Sequence, residues 1–183
     1  MIKTLLRLFK QMMTNKHTDS ALEKAHIVPR SEHNLSRKDI SKNALKVLYR
    51  LSKSGYQAYL VGGCVRDLLL GREPKDFDIA TDAKPEEIRS IFRNSRLIGK
   101  RFMICHVLFK NEIVEVTTFR SAIDANAKPD KGKQDLALSD QGIILEDNIY
   151  GRIDEDAMRR DFMINALYYN IKDFSIIAFD QGL

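Results

Sequence analysis

Two carboxylates one residue apart, Asp76 and Asp78, follow the pair Gly62-Gly63 by 14 residues. On a strand, residues i and i+2 project to the same face, so a strand over Phe77–Ala80 with Asp76 at its head sets both carboxylates side by side. Like charges that close raise each other's pKa unless a cation lies between them. A hard divalent ion such as Mg²⁺ takes oxygen ligands in that arrangement, with Mn²⁺ as the alternative. Such ions serve phosphoryl transfer, where two of them about 3.5–4 Å apart activate the attacking oxygen and neutralise the leaving phosphate. An Asp-x-Asp by itself also fits a solvated loop, so the surrounding residues decide.

Tyr59-Leu60-Val61 reads as a short strand running into Gly62-Gly63, and Val65–Leu70 as a helix closed by Gly71. A double glycine between strand and helix lets the backbone approach a triphosphate closely, with helix-start amides facing the anion; an ordinary tight turn is the plainer reading. Arg66, one helical turn on, can donate to a phosphate, or else pair with Asp67 or Glu73. Glu115 is a third carboxylate, inside the otherwise apolar run Ile113-Val114-Glu115-Val116-Thr117. A charge there is costly unless paired or metal-bound; by phase it shares a face with Ile113 and Thr117, so that face should open outward. The alternative is an edge-strand charge facing water. A second cluster holds Arg159, Arg160, Asp161 and Asn165. Read as one helix, it puts Asp161 and Asn165 on a common face, suited to triphosphate and ribose or base, or else to a surface salt-bridge network. His106, within an apolar strand, reads as a packed, hydrogen-bonded residue.

The elements that must position these groups form a mixed α and β pattern. A helix begins at Ser36, with Ile40, Ala44, Val47, Leu48 and Leu51 on one face and Gly55 as its stop. A further helix spans Pro85–Phe92, capped near Thr81 or Asp82. Arg101–Phe109 and Glu112–Phe119 form a hairpin about Lys110-Asn111. A helix runs from Asp154 through Asn165, and a last hairpin joins Leu167–Ile171 to Phe174–Phe179. Residues 121–150 are polar and long for a connection, which predicts a mobile functional loop or local disorder.

The 183 residues allow one sizeable core. A net charge of +5 is compatible with a polyanionic partner without requiring one. Cys64 and Cys105 lie outside any CxxC spacing, which excludes a disulfide framework or a zinc site and suits a reducing cytoplasm. No apolar run approaches the roughly 20 residues of a membrane span. In Met1–Met13, apolar Ile2, Leu5, Leu6 and Phe9 recur at helical spacing between Lys3, Arg7 and Lys10. That pattern suits either a frayed basic arm or a short helix resting on an anionic membrane surface. Residues 1–37 as a whole read as a flexible arm, and 38–183 as the folded domain.

In this order the motifs resemble the class of nucleotidyltransferases that includes bacterial poly(A) polymerases and CCA-adding tRNA nucleotidyltransferases. The resemblance rests on Tyr59-Leu60-Val61-Gly62-Gly63-Cys64-Val65-Arg66-Asp67, Lys75-Asp76-Phe77-Asp78, Glu115 to Arg120, and Arg159-Arg160-Asp161-Phe162 with Asn165-Ala166. The leader Ile27-Val28-Pro29-Arg30 with Ser36-Arg37-Lys38-Asp39, together with Phe92-Arg93-Asn94 and Asp147-Asn148-Ile149, is closer to the poly(A) branch. The likeness implies an α+β, polymerase beta-like head domain, a small mixed sheet flanked by helices. It implies Asp76, Asp78 and Glu115 as metal ligands and, with Asp161, as the acidic catalytic site. Gly62, Gly63, Arg66, Arg120, Arg159, Arg160 and Asn165 would hold ATP, and the 3′ end of an RNA (mRNA, another transcript or tRNA) would attack it. A cytoplasmic bacterial enzyme is the implied setting, with the inner-membrane surface as a possible contact for the arm. Two departures stand out: Met163 replaces a common threonine, and Ala178-Phe179-Asp180-Gln181-Gly182 distorts a family turn. The base-selecting element, neck, body and RNA-binding tail fall past residue 183, which reads as a truncated enzyme.

Overall fold

The structure, a computed structural model, describes residues 22, 25–99, 103–121, 136–138, 144–147 and 150–179. Its strands are β1 (Ala25–Val28), β2 (Ala58–Val61), β3 (Asp78–Thr81), β4 (Ser95–Ile98), β5 (Ile104–Phe109), β6 (Glu112–Thr118), β7 (Leu136–Leu138), β8 (Ile144–Asp147), β9 (Leu167–Asn170) and β10 (Ile176–Phe179). The α-helices among the described residues include α1 (Lys42–Lys53), α2 (Gly63–Leu69), α3 (Pro85–Ile91) and α4 (Ile153–Met158). Eight strands make one sheet in the order β1-β10-β9-β2-β3-β6-β5-β4. Only β3 and β6 run parallel within it; the other pairs are antiparallel. The α+β reading holds.

α1 forms because Ala44, Val47, Leu48 and Leu51 recur at helical spacing, and all four are buried. Each of the larger three contributes roughly 1.5–3 kcal/mol through that burial. The Ser41 hydroxyl accepts from the Ala44 amide at 3.0 Å and starts the helix. At the other end Gly55 adopts φ +93°, and the Tyr56 amide bonds back to the Leu51 carbonyl at 3.2 Å. Ser36 caps only a 3₁₀ turn over Arg37–Asp39, because Ile40 is extended and drops into the core. The helix expected from Ser36 therefore starts at Lys42. Helices α1, α2 and α3 cover one sheet face, packing on Leu60, Ile79, Val107, Val114, Val116 and Tyr169. Among the described residues, the opposite face is covered by a helix on one half, where Ile153 and Ala157 of α4 meet Tyr59, Val61, Tyr168 and Ile177.

Several other boundaries differ from the sequence reading. Ala25–Val28 pairs with β10 and Leu35 is fully buried, so the folded domain reaches back into the span read as a flexible arm. Ser95–Ile98 adds an edge strand the sequence did not announce, and β5 begins at Ile104. Lys84, not Thr81 or Asp82, is the cap residue of α3. Those two side chains are occupied elsewhere, Thr81 accepting from the Ala83 amide and Asp82 from the Gln57 amide. α4 ends at Met158, and Met163–Asn165 is a separate 3₁₀ turn. Continuing α4 would have set Arg160 or Asp161 on the buried stripe of Ile153 and Ala157; the chain bends instead. Most of the 121–150 loop lies outside the described residues, apart from β7 and β8, which pair with each other in a two-stranded sheet. The Met1–Met13 segment also lies outside them. No helix among the described residues is long and apolar enough to cross a membrane.

Candidate nucleotide and metal site

One register row crosses all eight strands of the sheet: Ile27, Ile177, Tyr168, Val61, Asp78, Glu115, His106 and Arg96. Residues paired directly across a sheet share a face. Ile177, Tyr168 and Val61 lie under α4, whereas Asp78, Glu115, His106 and Arg96 occupy the half that no helix among the described residues covers. The burial pattern of β6 fits: Val114, Val116 and Thr118 are buried, while Ile113, Glu115 and Thr117 face outward. Glu115 is on an interior strand with an open face, as its phase predicts, and not at a sheet edge.

Two of the three carboxylates, Asp78 and Glu115, are set side by side, by a different route from the one the sequence suggested. β3 starts at Asp78, so Asp76 stands exposed in the lead-in rather than on the strand. The parallel pairing of β3 with β6 sets Asp78 beside Glu115. Burial pushes the Asp78 carboxyl up to about 6, and the neighbouring Glu115 and Asp76 push the same way; Arg160 opposes them. Asp161 is exposed in the bend after α4 and is not among the groups acting on Asp78. It does not share a helix face with Asn165, because the helix that would have aligned them ends earlier.

Gly62 is the hinge of the site. Its φ of +82° and ψ of −143° are open to glycine and strained for other residues. A Cβ placed there would lie 3.8 Å from Arg160 Nη1, 4.0 Å from Asp78 Oδ2 and 4.0 Å from the Asn165 carbonyl. The cationic and acidic halves of the site thus meet over this one residue. A Cβ on Gly63 would lie 3.4 Å from Arg66 Nη2. Arg66 donates through Nε to Asp67 Oδ1 at 2.9 Å and through Nη1 to Asn165 Oδ1 at 3.0 Å. The Asp67 pairing foreseen as the plainer alternative is present, and with Asn165 it fixes the guanidinium over the glycine turn.

Sequence reasoning passed over the residue that organises the arginines. Asp156 is 1% exposed. Its Oδ1 accepts from Arg159 Nε and Nη2, both at 3.1 Å, and from the Arg120 amide at 3.3 Å. Its Oδ2 accepts from Arg160 Nη2 at 3.0 Å and from the Tyr168 hydroxyl at 2.8 Å. Burial acts to raise its pKa, but Arg160, Arg159 and Tyr168 outweigh that and hold it below the ordinary carboxylate range. Arg120 enters this cluster by its backbone. The spacing of Asp156 to Arg160, i to i+4, was the available signal. His106, read from the sequence as a packed, hydrogen-bonded residue, is partly buried, and its Nε2 lies 3.3 Å from Glu115 Oε1. A hairpin centred on Lys110-Asn111 pairs residue 106 with 115, so the register contained that contact.

Asp76, Asp78 and Glu115 are the side chains that could hold a metal. Among the described residues no three His, Cys, Asp or Glu groups close into a metal cage by themselves. The donor set is all hard oxygen, and the raised Asp78 marks negative charge that the protein leaves uncompensated.

Comparison with known proteins gives a consistent result. The chain is 52% identical over 167 residues to poly(A) polymerase I of Salmonella typhi, an alignment spanning 90% of this chain and 35% of that protein. It is 39% identical over 147 residues to a CCA-adding enzyme of Lactobacillus delbrueckii subsp. bulgaricus, covering 80% and 34%. The chain therefore spans about a third of the length of these relatives. Among solved structures, the Bacillus stearothermophilus CCA-adding enzyme in complex with CTP aligns with a TM-score of 0.54 and 34% identity, over 72% of this chain and 28% of that one. Residues 58–183 match the profile of the Poly A polymerase head domain, and on that match the chain belongs to the poly A polymerase head-domain family.

Proposed function

We propose that this chain is the nucleotidyl-transfer domain of a poly(A) polymerase, adding AMP from ATP to RNA 3′ ends with release of pyrophosphate. The observation that carries the reading is the pairing of Asp78 with Glu115 beside a positive-φ glycine turn flanked by Arg160 and Arg66. Higher identity to a poly(A) polymerase than to a CCA-adding enzyme favours ATP over ordered CTP and ATP addition. The solved relative with CTP bound supports a nucleoside triphosphate as the substrate class.

In this reading Arg160, oriented by Asp156 and Tyr168, and Arg66, oriented by Asp67 and Asn165, present guanidinium groups to the triphosphate over Gly62-Gly63. Held side chains lose little entropy on binding, which favours a defined phosphate geometry. Asp76, Asp78 and Glu115 would hold Mg²⁺, or Mn²⁺ in its place, which would help ionise the RNA 3′ hydroxyl and offset charge on the departing pyrophosphate. The 3′ oxygen forms the new bond to the α-phosphorus as the bond to pyrophosphate breaks.

Extension of a labelled oligo-RNA with Mg²⁺, with ATP and CTP supplied separately, tests the proposal. ATP incorporation that disappears in the Asp76→Ala, Asp78→Ala double variant is expected. Ordered CTP-then-ATP addition to tRNA would replace the reading with CCA addition, and extension surviving the double substitution would refute the carboxylate assignment.

A further inference from the structure

On the face of the sheet opposite Asp78, a cavity of about 730 Å³ lies between α1 and the end of the β5–β6 hairpin. Lys42, Leu45, Lys46, Tyr49, Arg50 and Lys53 line it from α1, and Phe92, Asn94 and Phe109 from the other side. Four of these nine residues are cationic and none is acidic. Lys42, Lys46, Arg50 and Lys53 recur at i, i+4, i+8 and i+11, so they form one stripe about 16 Å long on the helix. Leu45 and Tyr49 form the parallel apolar stripe beside them. The cations are exposed, whereas Leu45, Tyr49 and Phe109 are half-buried and Phe92 is buried. Among the described residues, neither Lys42, Lys46 nor Arg50 is in an ion pair. Arg50 is instead held over the Phe92 ring, 5.1 Å from its centroid.

We propose that this groove binds single-stranded RNA, with phosphates along the α1 cations and bases against Leu45, Tyr49 and Phe109. The chemistry is that of sequence-tolerant strand binding, in which a basic track carries the backbone and aromatic surfaces receive the bases. Charge complementarity selects a polyanion. The concave shape selects a strand over a lipid surface: the apolar groups are recessed behind the cations, where a bilayer would require them to protrude. The groove is on the other side of the sheet from the carboxylates, so it would retain RNA without occupying the transfer site.

The test is fluorescence anisotropy of a labelled single-stranded oligo-RNA with the full 183-residue chain, in a salt series without ATP or Mg²⁺. The Asp76→Ala, Asp78→Ala variant is run in parallel, so a failure of the transfer reading is distinguishable from a failure of this one. Lys42→Gln with Lys46→Gln, both at exposed positions, should weaken binding about tenfold and reduce the log–log salt slope by about 1.4, roughly 0.7 per lost cation. On the unaltered chain, 4-thiouridine RNA should crosslink at Tyr49 or Phe109. Unchanged affinity and slope would overturn the proposal, as would crosslinks confined to the Asp78 face. It would also be overturned if the lysine substitutions abolished binding to anionic phosphatidylglycerol vesicles while leaving RNA binding intact.

Discussion

Asp78 and Asp156 are both largely withdrawn from water, and Asp78 and the Arg160 that Asp156 holds both approach Gly62, yet the two carboxyls shift in opposite directions. Asp156 has two arginines, a tyrosine hydroxyl and a backbone amide, and stays ionised in spite of its burial. Asp78 faces two other carboxylates, and Arg160, the cation that opposes them, is already engaged by Asp156. Burial alone does not decide the charge of a carboxylate; its partners do. One aspartate fixes arginines and keeps its charge, and the other, set among like charges, is pushed toward its protonated form.

The largest expected effect comes from breaking the satisfied side. Asp156→Asn leaves Arg160 buried without its counter-charge, and denaturant unfolding should show a loss on the order of 3–5 kcal/mol. The native Asp156 pKa is depressed, so its contribution is present above the unfolded pKa of about 3.8 and is lost as pH falls through the lower folded value.

Asp78→Asn should move stability the other way. The folded carboxyl titrates near 6 and the unfolded one near 3.8, so the native state binds more protons between them and stability falls as pH rises through that window. Removing the charge should gain on the order of 1–3 kcal/mol at pH 8, a gain that vanishes below about pH 4, while the proposed nucleotide transfer should be lost. A destabilising Asp78→Asn at pH 8 would contradict the account of uncompensated charge.

The smallest expected effect is at Gly62. Gly62→Ala meets its neighbours at ordinary contact distances, so its cost is backbone strain of about 1–2 kcal/mol, readable as a lowered Tm with no pH dependence of its own.

Much of the fold was legible because local rules sufficed. The α1 stripe and its Gly55 stop, the β5–β6 hairpin about Lys110-Asn111 and the closing β9–β10 hairpin all follow from periodicity and turn chemistry. The edge strands β1 and β4 were missed because their pairing partners, not their own residues, make them strands. The helix drawn through Asn165 failed because its continuation would have set Arg160 or Asp161 on the buried stripe of Ile153 and Ala157, which depends on what packs against that stripe.

The sequence by itself determined which groups are present and which of them share a strand face: Glu115 with Ile113 and Thr117, and the glycines between β2 and α2. A side chain's direction along a single element is a matter of period, which neighbours in sequence already contain. Tertiary structure decided what meets across elements. The parallel register that brings Asp78 to Glu115, and the approach of Arg160 to Gly62, depend on contacts between segments far apart in the chain. Burial and competing partners then set the charge each carboxylate carries, and neither is written in local spacing.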